Sequence, residues 1–272
     1  MEEVVLRLKE QGRRRRYQRG KSAPAPPEPP SNASVLTASR SGFLTSVNEA
    51  ALLEVAVEAD GLVLIDRSPG GSLIAGTPIG TAWSRAEETV LPRHQEGADR
   101  RSSEAVQTGP ERTDLQDTAF GLRQLTDIAA KALSPGINDP TTAVHALSHS
   151  SALLCELARH DLGPRLLRDD HRQVRVVLRR PHLQDLLDLA VNRPLRYGAA
   201  EPAVLARIAM LLRELAWGRA PDQHPPLTAA LARLRSTIDA QDLHATERLR
   251  LTELTRLVDE ALAGRWPHGR SG

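Results

Sequence analysis

Apolar residues recur at helical spacing through most of the second half of the chain. Phe120, Leu125, Ile128, Ala129 and Ala132 share one face of a segment from about Leu115 to Leu133. A second stripe, Ala143, Val144, Leu147, Leu154 and Leu157, predicts a helix from Pro140 that stops near Gly163 and Pro164. Pro181 opens a third pattern with Leu183, Leu186, Leu187 and Ala190. Pro202 opens a fourth with Val204, Leu205, Ile208, Leu211, Leu212 and Leu215. Two further amphipathic helices are expected over about 226–238 and 242–262, and Val174 to Leu178 predicts one short strand flanked by arginines.

The first half has a different rhythm. Ser34 to Val47 alternates loosely around Gly42 and Phe43, the pattern of a strand or hairpin. Asn48 can cap a short helix through Leu52, Leu53, Val55 and Ala56, and Leu62 to Ile65 reads as a compact buried strand. The phrase PGGSLIAGTPI is similar to the strand–turn–strand of biotinyl and lipoyl carrier domains. No lysine lies between Lys21 and Lys131, so no such group can be carried there. The fold expected is α+β: a small β-rich N-terminal module followed by a mostly α-helical domain with one short strand. Its parts are a basic, Pro-rich tail at 1–33, disordered or juxtamembrane, and an α+β module at 34–83. A connecting segment follows at 84–112, with some helix around Ala86 to Leu91. A helical domain at 113–220 and C-terminal helices at 221–272 complete the chain.

Composition narrows the function classes. Aromatics are 3% of the chain, so the cores must be built from Leu, Val, Ile and Ala. A formal net charge of +2 gives no strong field, and no basic–aromatic interleaving supports nucleic-acid binding. The single cysteine, Cys155, sits in an apolar stripe and reads as a small buried thiol. No segment has the roughly 18 uninterrupted apolar residues of a membrane span, and no signal peptide is expected, since acids and arginines occupy the place of its apolar run. The expected location is cytoplasmic, or the cytoplasmic face of a bacterial inner membrane. No phosphate loop, dinucleotide fingerprint or nucleophile elbow occurs, so no cofactor is expected.

The candidate chemistry gathers around Ser134 to Pro140, the run SPGINDP between the first two helical stripes. Two proline/glycine breaks make it rigid. Asp139 as N-cap, with Pro140 behind it, is a strong helix start. The helix start could take an anion or small ligand, although Asp139 supplies the negative group itself; if the two helices pack antiparallel, Arg123, Asp127, Asn138 and Asp139 could converge to hold a cation or polarise a substrate. The plainer reading is a capped interhelical turn beside a salt-bridged helix pair. His145 and His149 have the i,i+4 spacing of a shared metal but lack an evident third ligand.

The run ERTDLQDTAFGLRQLTDIAAKALSPGINDPTTAV resembles the core motif of a bacterial family of predicted membrane proteins, domain of unknown function 2254. The phrases SGFLTSVNEAALLEVAVEADGLVLI, PGGSLIAGTPIGTAW, RVVL, LQDLLDLA and LRYGAAEPAVLARIAMLLREL are similar to its other segments in the same order. The likeness covers about residues 34 to 217. Arg112, Asp117, Arg123, Asp127, Ser134, Pro135, Asn138, Asp139, Pro140 and Thr142 match the motif. His145 and His149 fall outside it. Family members carry transmembrane helices ahead of this region. The resemblance therefore implies that Met1 follows the last span and that 1–16 lie beside the membrane, where Arg13 to Arg16 suit the cytoplasmic side. It implies a membrane or membrane-domain partner, is compatible with a homo-oligomer, and implies no particular reaction. The leading expectation is a non-enzymatic assembly, gating or ligand-sensing module. The rivals are an enzyme or a metal- or anion-binding domain centred on the SPGINDP loop, and a fragment stranded without its membrane domain.

Overall fold

The computed structural model describes residues 27–84, 92–114 and 116–266. The expected juxtamembrane helix, the helix at Ala86 to Leu91 and the helix start at Leu115 lie outside them. The chain divides into two compact units. One takes the described residues up to Phe120 together with Gly163–Pro181. The other takes Gly121–Leu162 and the residues from His182 onward.

The first unit is built on two sheets. Strands β1 (Ser34–Thr37), β2 (Gly42–Val47), β3 (Gly61–Ile65), β4 (Ser72–Leu73), β5 (Pro78–Ser84), β6 (Val106–Gly109), β7 (Arg165–Arg168) and β8 (Val174–Leu178) alternate with helices α1 (Glu49–Glu58) and α2 (Pro92–Glu104). A five-stranded sheet has the order β1-β5-β3-β8-β7, and a three-stranded one the order β4-β2-β6. All pairs are antiparallel except β3 with β8, which run parallel with Val63 opposite Val176. Asn48 caps α1 by accepting the Ala51 N–H, and Leu52 and Ala56 bury its inner face. They join Leu36, Leu44, Ile65, Ile79, Val106 and Val176 in one apolar core.

This architecture is α+β, as the apolar pattern implies, but three local expectations change. Ser34 to Val47 forms two strands and no hairpin: β1 pairs with β5, while β2 pairs with β4 and β6 in the other sheet. Residues 92–109, expected within a connecting segment, form α2 and β6. The strand at Val174 to Leu178, expected in the helical domain, joins the sheet of the first unit, with β7 beside it. Arg175 helps hold it there. This arginine is 7% exposed, and its guanidinium bonds Asp169 at 2.8 Å and Asp60 at 2.6 Å.

The second unit is all helix: α3 (Phe120–Ala132), α4 (Pro140–Leu157), α5 (Leu183–Tyr197), α6 (Pro202–Ala216), α7 (Pro225–Asp239) and α8 (Ala245–Leu262). Phe120, the first residue of α3, falls at the unit boundary. The centre of this unit is α6, apolar nearly all round, with Val204, Leu205, Ile208, Leu211 and Leu212 each fully buried. Burial of such side chains contributes about 2 kcal/mol each. The closest packing of α6 is against α8 and α4.

Candidate functional site

The SPGINDP loop is closed by its own short-range hydrogen bonds. Ser134 N–H and hydroxyl both donate to the Lys131 carbonyl, ending α3. The Ile137 and Asn138 amides return to the Ser134 carbonyl at 3.0 and 2.9 Å, and the Asp139 amide reaches back to the Ala132 carbonyl at 2.8 Å. Asn138 has φ +47°, a left-handed conformation that asparagine tolerates better than most residues, and its side chain is exposed. Asp139 caps α4: one carboxylate oxygen accepts the Thr142 N–H at 3.0 Å, the other the Thr142 hydroxyl at 2.5 Å. Those bonds from Thr142 hold the Asp139 carboxyl below its ordinary value.

The other candidates lie elsewhere on the unit. Asp127 is exposed and pairs with Arg193 of α5, not with Arg123. Arg123 sits nine residues before Ala132, about 14 Å up the axis of α3 at 1.5 Å per residue. It is half-buried, and its Nε has no hydrogen-bond partner. The main partner of α4 is α6, and α3 meets α5 through the Thr126 hydroxyl on the Leu189 carbonyl at 3.1 Å. Among the described residues no hydrogen bond or ion pair joins Arg123, Asp127, Asn138 and Asp139 to one another; Asp127 and Asp139 bond elsewhere. His145 and His149 are both exposed on α4. Among the described residues no group of three His, Cys, Asp or Glu side chains could hold a metal.

Two polar clusters escaped the reading of the sequence. In the helical unit, Arg207 is 8% exposed and forks onto Glu214 at 3.0 and 2.7 Å. The Ser151 hydroxyl of α4 donates to the same carboxylate. Burial pushes Glu214 up. The bonds from Arg207 and Ser151 and the charges of Arg207 and Arg213 outweigh it, so the carboxyl stays below its ordinary value. Cys155, one turn after Ser151, is half-buried, and burial followed by the Glu214 charge raises its thiol. A thiol shifted that way is a poor nucleophile. The signal was a pair of opposite charges seven residues apart on an otherwise apolar stripe.

In the sheet unit, Arg112 meets Asp117 at 2.5 Å, with the Asp117 side chain 3% exposed. The other Asp117 oxygen accepts the Ala119 N–H at 3.0 Å, just before α3 begins. Gly70, at φ +82°, lies directly against this pair; a Cβ there would overlap both the carboxylate and the guanidinium. The Gly70 and Gly71 backbone is tied to Leu44, through Gly70 N–H to the Leu44 carbonyl and Leu44 N–H to the Gly71 carbonyl.

These motif positions now have a family to be compared with. The family described as predicted membrane protein (DUF2254) matches residues 1–214. The chain belongs to that family. The DUF2254 match reaches further toward the N-terminus than the resemblance at 34–217. Uncharacterized proteins of Mycobacterium bovis and Mycobacterium tuberculosis are each 36% identical to the chain over 193 residues. The matched stretch is 70% of this chain and 36% of each relative, so the chain spans about a third of their length. No solved structure matches it. No helix among the described residues is long and apolar enough to cross a membrane.

Proposed function

We propose that this chain is the cytoplasmic-side portion of a DUF2254 membrane protein and acts as a non-enzymatic module for assembly, gating or ligand sensing. The observation that carries the reading is that Asp127, Asn138 and Asp139 are each engaged separately, with no bond among them or to Arg123 among the described residues. Asp139 is consumed as a cap, Asp127 as a surface ion pair, and Asn138 as a left-handed turn residue. An enzyme or ion site centred on the loop needs them together. Support for the membrane setting comes from the family and from relatives nearly three times as long as the matched stretch. The Arg13 to Arg16 run favours the cytoplasmic side.

The test is cysteine labelling of a full-length mycobacterial relative in intact cells. Single cysteines are placed in the stretch that matches 140–157. The reading expects membrane-impermeant maleimide to react only after the cells are opened. Labelling in intact cells would place the module on the opposite side and overturn it.

A further inference from the structure

A cavity of about 420 Å³ opens in the sheet unit where α1, α2 and the ends of β3 and β5 meet. Its size falls within the range of small-molecule sites. The cause is in the sequence: Ala56, Ala59, Gly61, Ala82, Gly97 and Ala98 face the same space, and none fills it. Val55, Leu62 and Val63 add apolar wall.

The polar groups at this cavity are few and unevenly charged. Glu58 of α1 and Arg101 of α2 bridge the two helices at 2.5 Å, so the guanidinium is already engaged. Asp99 is left as the second carboxylate. It accepts from the Ser34 hydroxyl, and no cation among the described residues forms an ion pair with it. Burial raises the Asp99 carboxyl, with the Ser34 bond opposing. Ser102 lines the same space, is 1% exposed, and its hydroxyl has no hydrogen-bond partner.

We propose that this cavity binds a small organic cation, an apolar body bearing an ammonium group. The apolar body fills the space left by the small residues. The ammonium pairs with Asp99, the carboxylate of this lining that has no cationic partner among the described residues. The lining carries two carboxylates against one guanidinium, so an organic anion of the same shape is disfavoured. This goes beyond the module reading, and its failure would leave that reading standing.

The test is titration of the whole chain with phenethylamine and with 3-phenylpropionate, which has a similar body and the opposite charge, by saturation-transfer NMR and calorimetry. Saturable binding of the amine is expected, with the carboxylate at least tenfold weaker. Gly97→Leu adds bulk at a residue that lines the cavity and where a Cβ has nothing within 4 Å. It also favours the helix. Amine binding is expected to vanish in that variant and to fall at least tenfold in Asp99→Asn, with unfolding midpoints no lower than in the parent. No binding of the amine, equal binding of both probes, or unchanged amine binding in Asp99→Asn would each overturn the proposal.

Discussion

The SPGINDP loop and the SPGG turn at Ser68–Gly71 are both proline/glycine breaks containing or touching family-motif residues, but they are held in opposite ways. Every backbone bond of the loop described above stays within about seven residues, and its cap is three residues from its partner. The turn depends on residues far along the chain: Leu44 on one side, Arg112 and Asp117 on the other, and the Arg179 carbonyl on the Ser68 hydroxyl. A motif can thus be demanding for two physical reasons. One is local backbone geometry. The other is a close fit around a buried ion pair, where removing one partner strands the other charge. Neither reason requires a reaction.

The contrast can be broken by substitution, beginning with the largest effect. Gly70→Ala must both strain a left-handed backbone and push a methyl group into the Arg112–Asp117 pair. A loss of about 4 kcal/mol is expected from thermal or urea unfolding of the sheet unit; a loss below about 1 kcal/mol would mean that the pair is loose. Next comes Glu214→Ala in the helical unit, which leaves Arg207 buried without its carboxylate. The expected cost is about 2 kcal/mol, less than for a fully enclosed pair because Glu214 keeps part of its surface in solvent. The folded Glu214 carboxyl lies below its unfolded value. Its contribution is therefore present above the ordinary carboxylate range and is lost as pH falls through the depressed value. The parent should lose stability on acidification more steeply than Glu214→Gln, and parallel curves would refute that linkage. Smallest is Asp127→Ala, since Asp127 and Arg193 are each more than half exposed. Less than about 0.5 kcal/mol is expected, and a larger loss would restore Asp127 as a site residue.

What could be read from the sequence follows the same division. The cap at Asp139, the start at Pro140 and the buried stripe of α6 rest on periodicity and near neighbours, and all three are present. The helix α2 was missed because PRHQEGADRRSSE carries no apolar stripe, and its support comes from tertiary packing on α1 and β1. Strand β7 is only four residues, RLLR, and takes its register from β8. The separation of β1 and β2 into different sheets depends on pairing partners 41 to 66 residues away. In the candidate site, Asp139 was legible as a cap and Asn138 as its neighbour. The partner of Asp127 lies 66 residues on, at Arg193, beyond any local rule. The cavity under α1 and α2 was equally hidden, since small residues leave a space only when their elements come together.

Asp117 and Asp139, both carboxylates at family-motif positions, serve the fold, one over long range and one locally. Peptide-resolved hydrogen exchange on Asp117→Ala and Asp139→Ala, side by side, tests it most directly. About a hundredfold faster opening across the sheet unit is expected for Asp117→Ala. For Asp139→Ala the expected change is a few-fold, centred on the first turn of α4. Protection equal to the parent in either variant would contradict it, leaving that carboxylate without the structural role assigned to it.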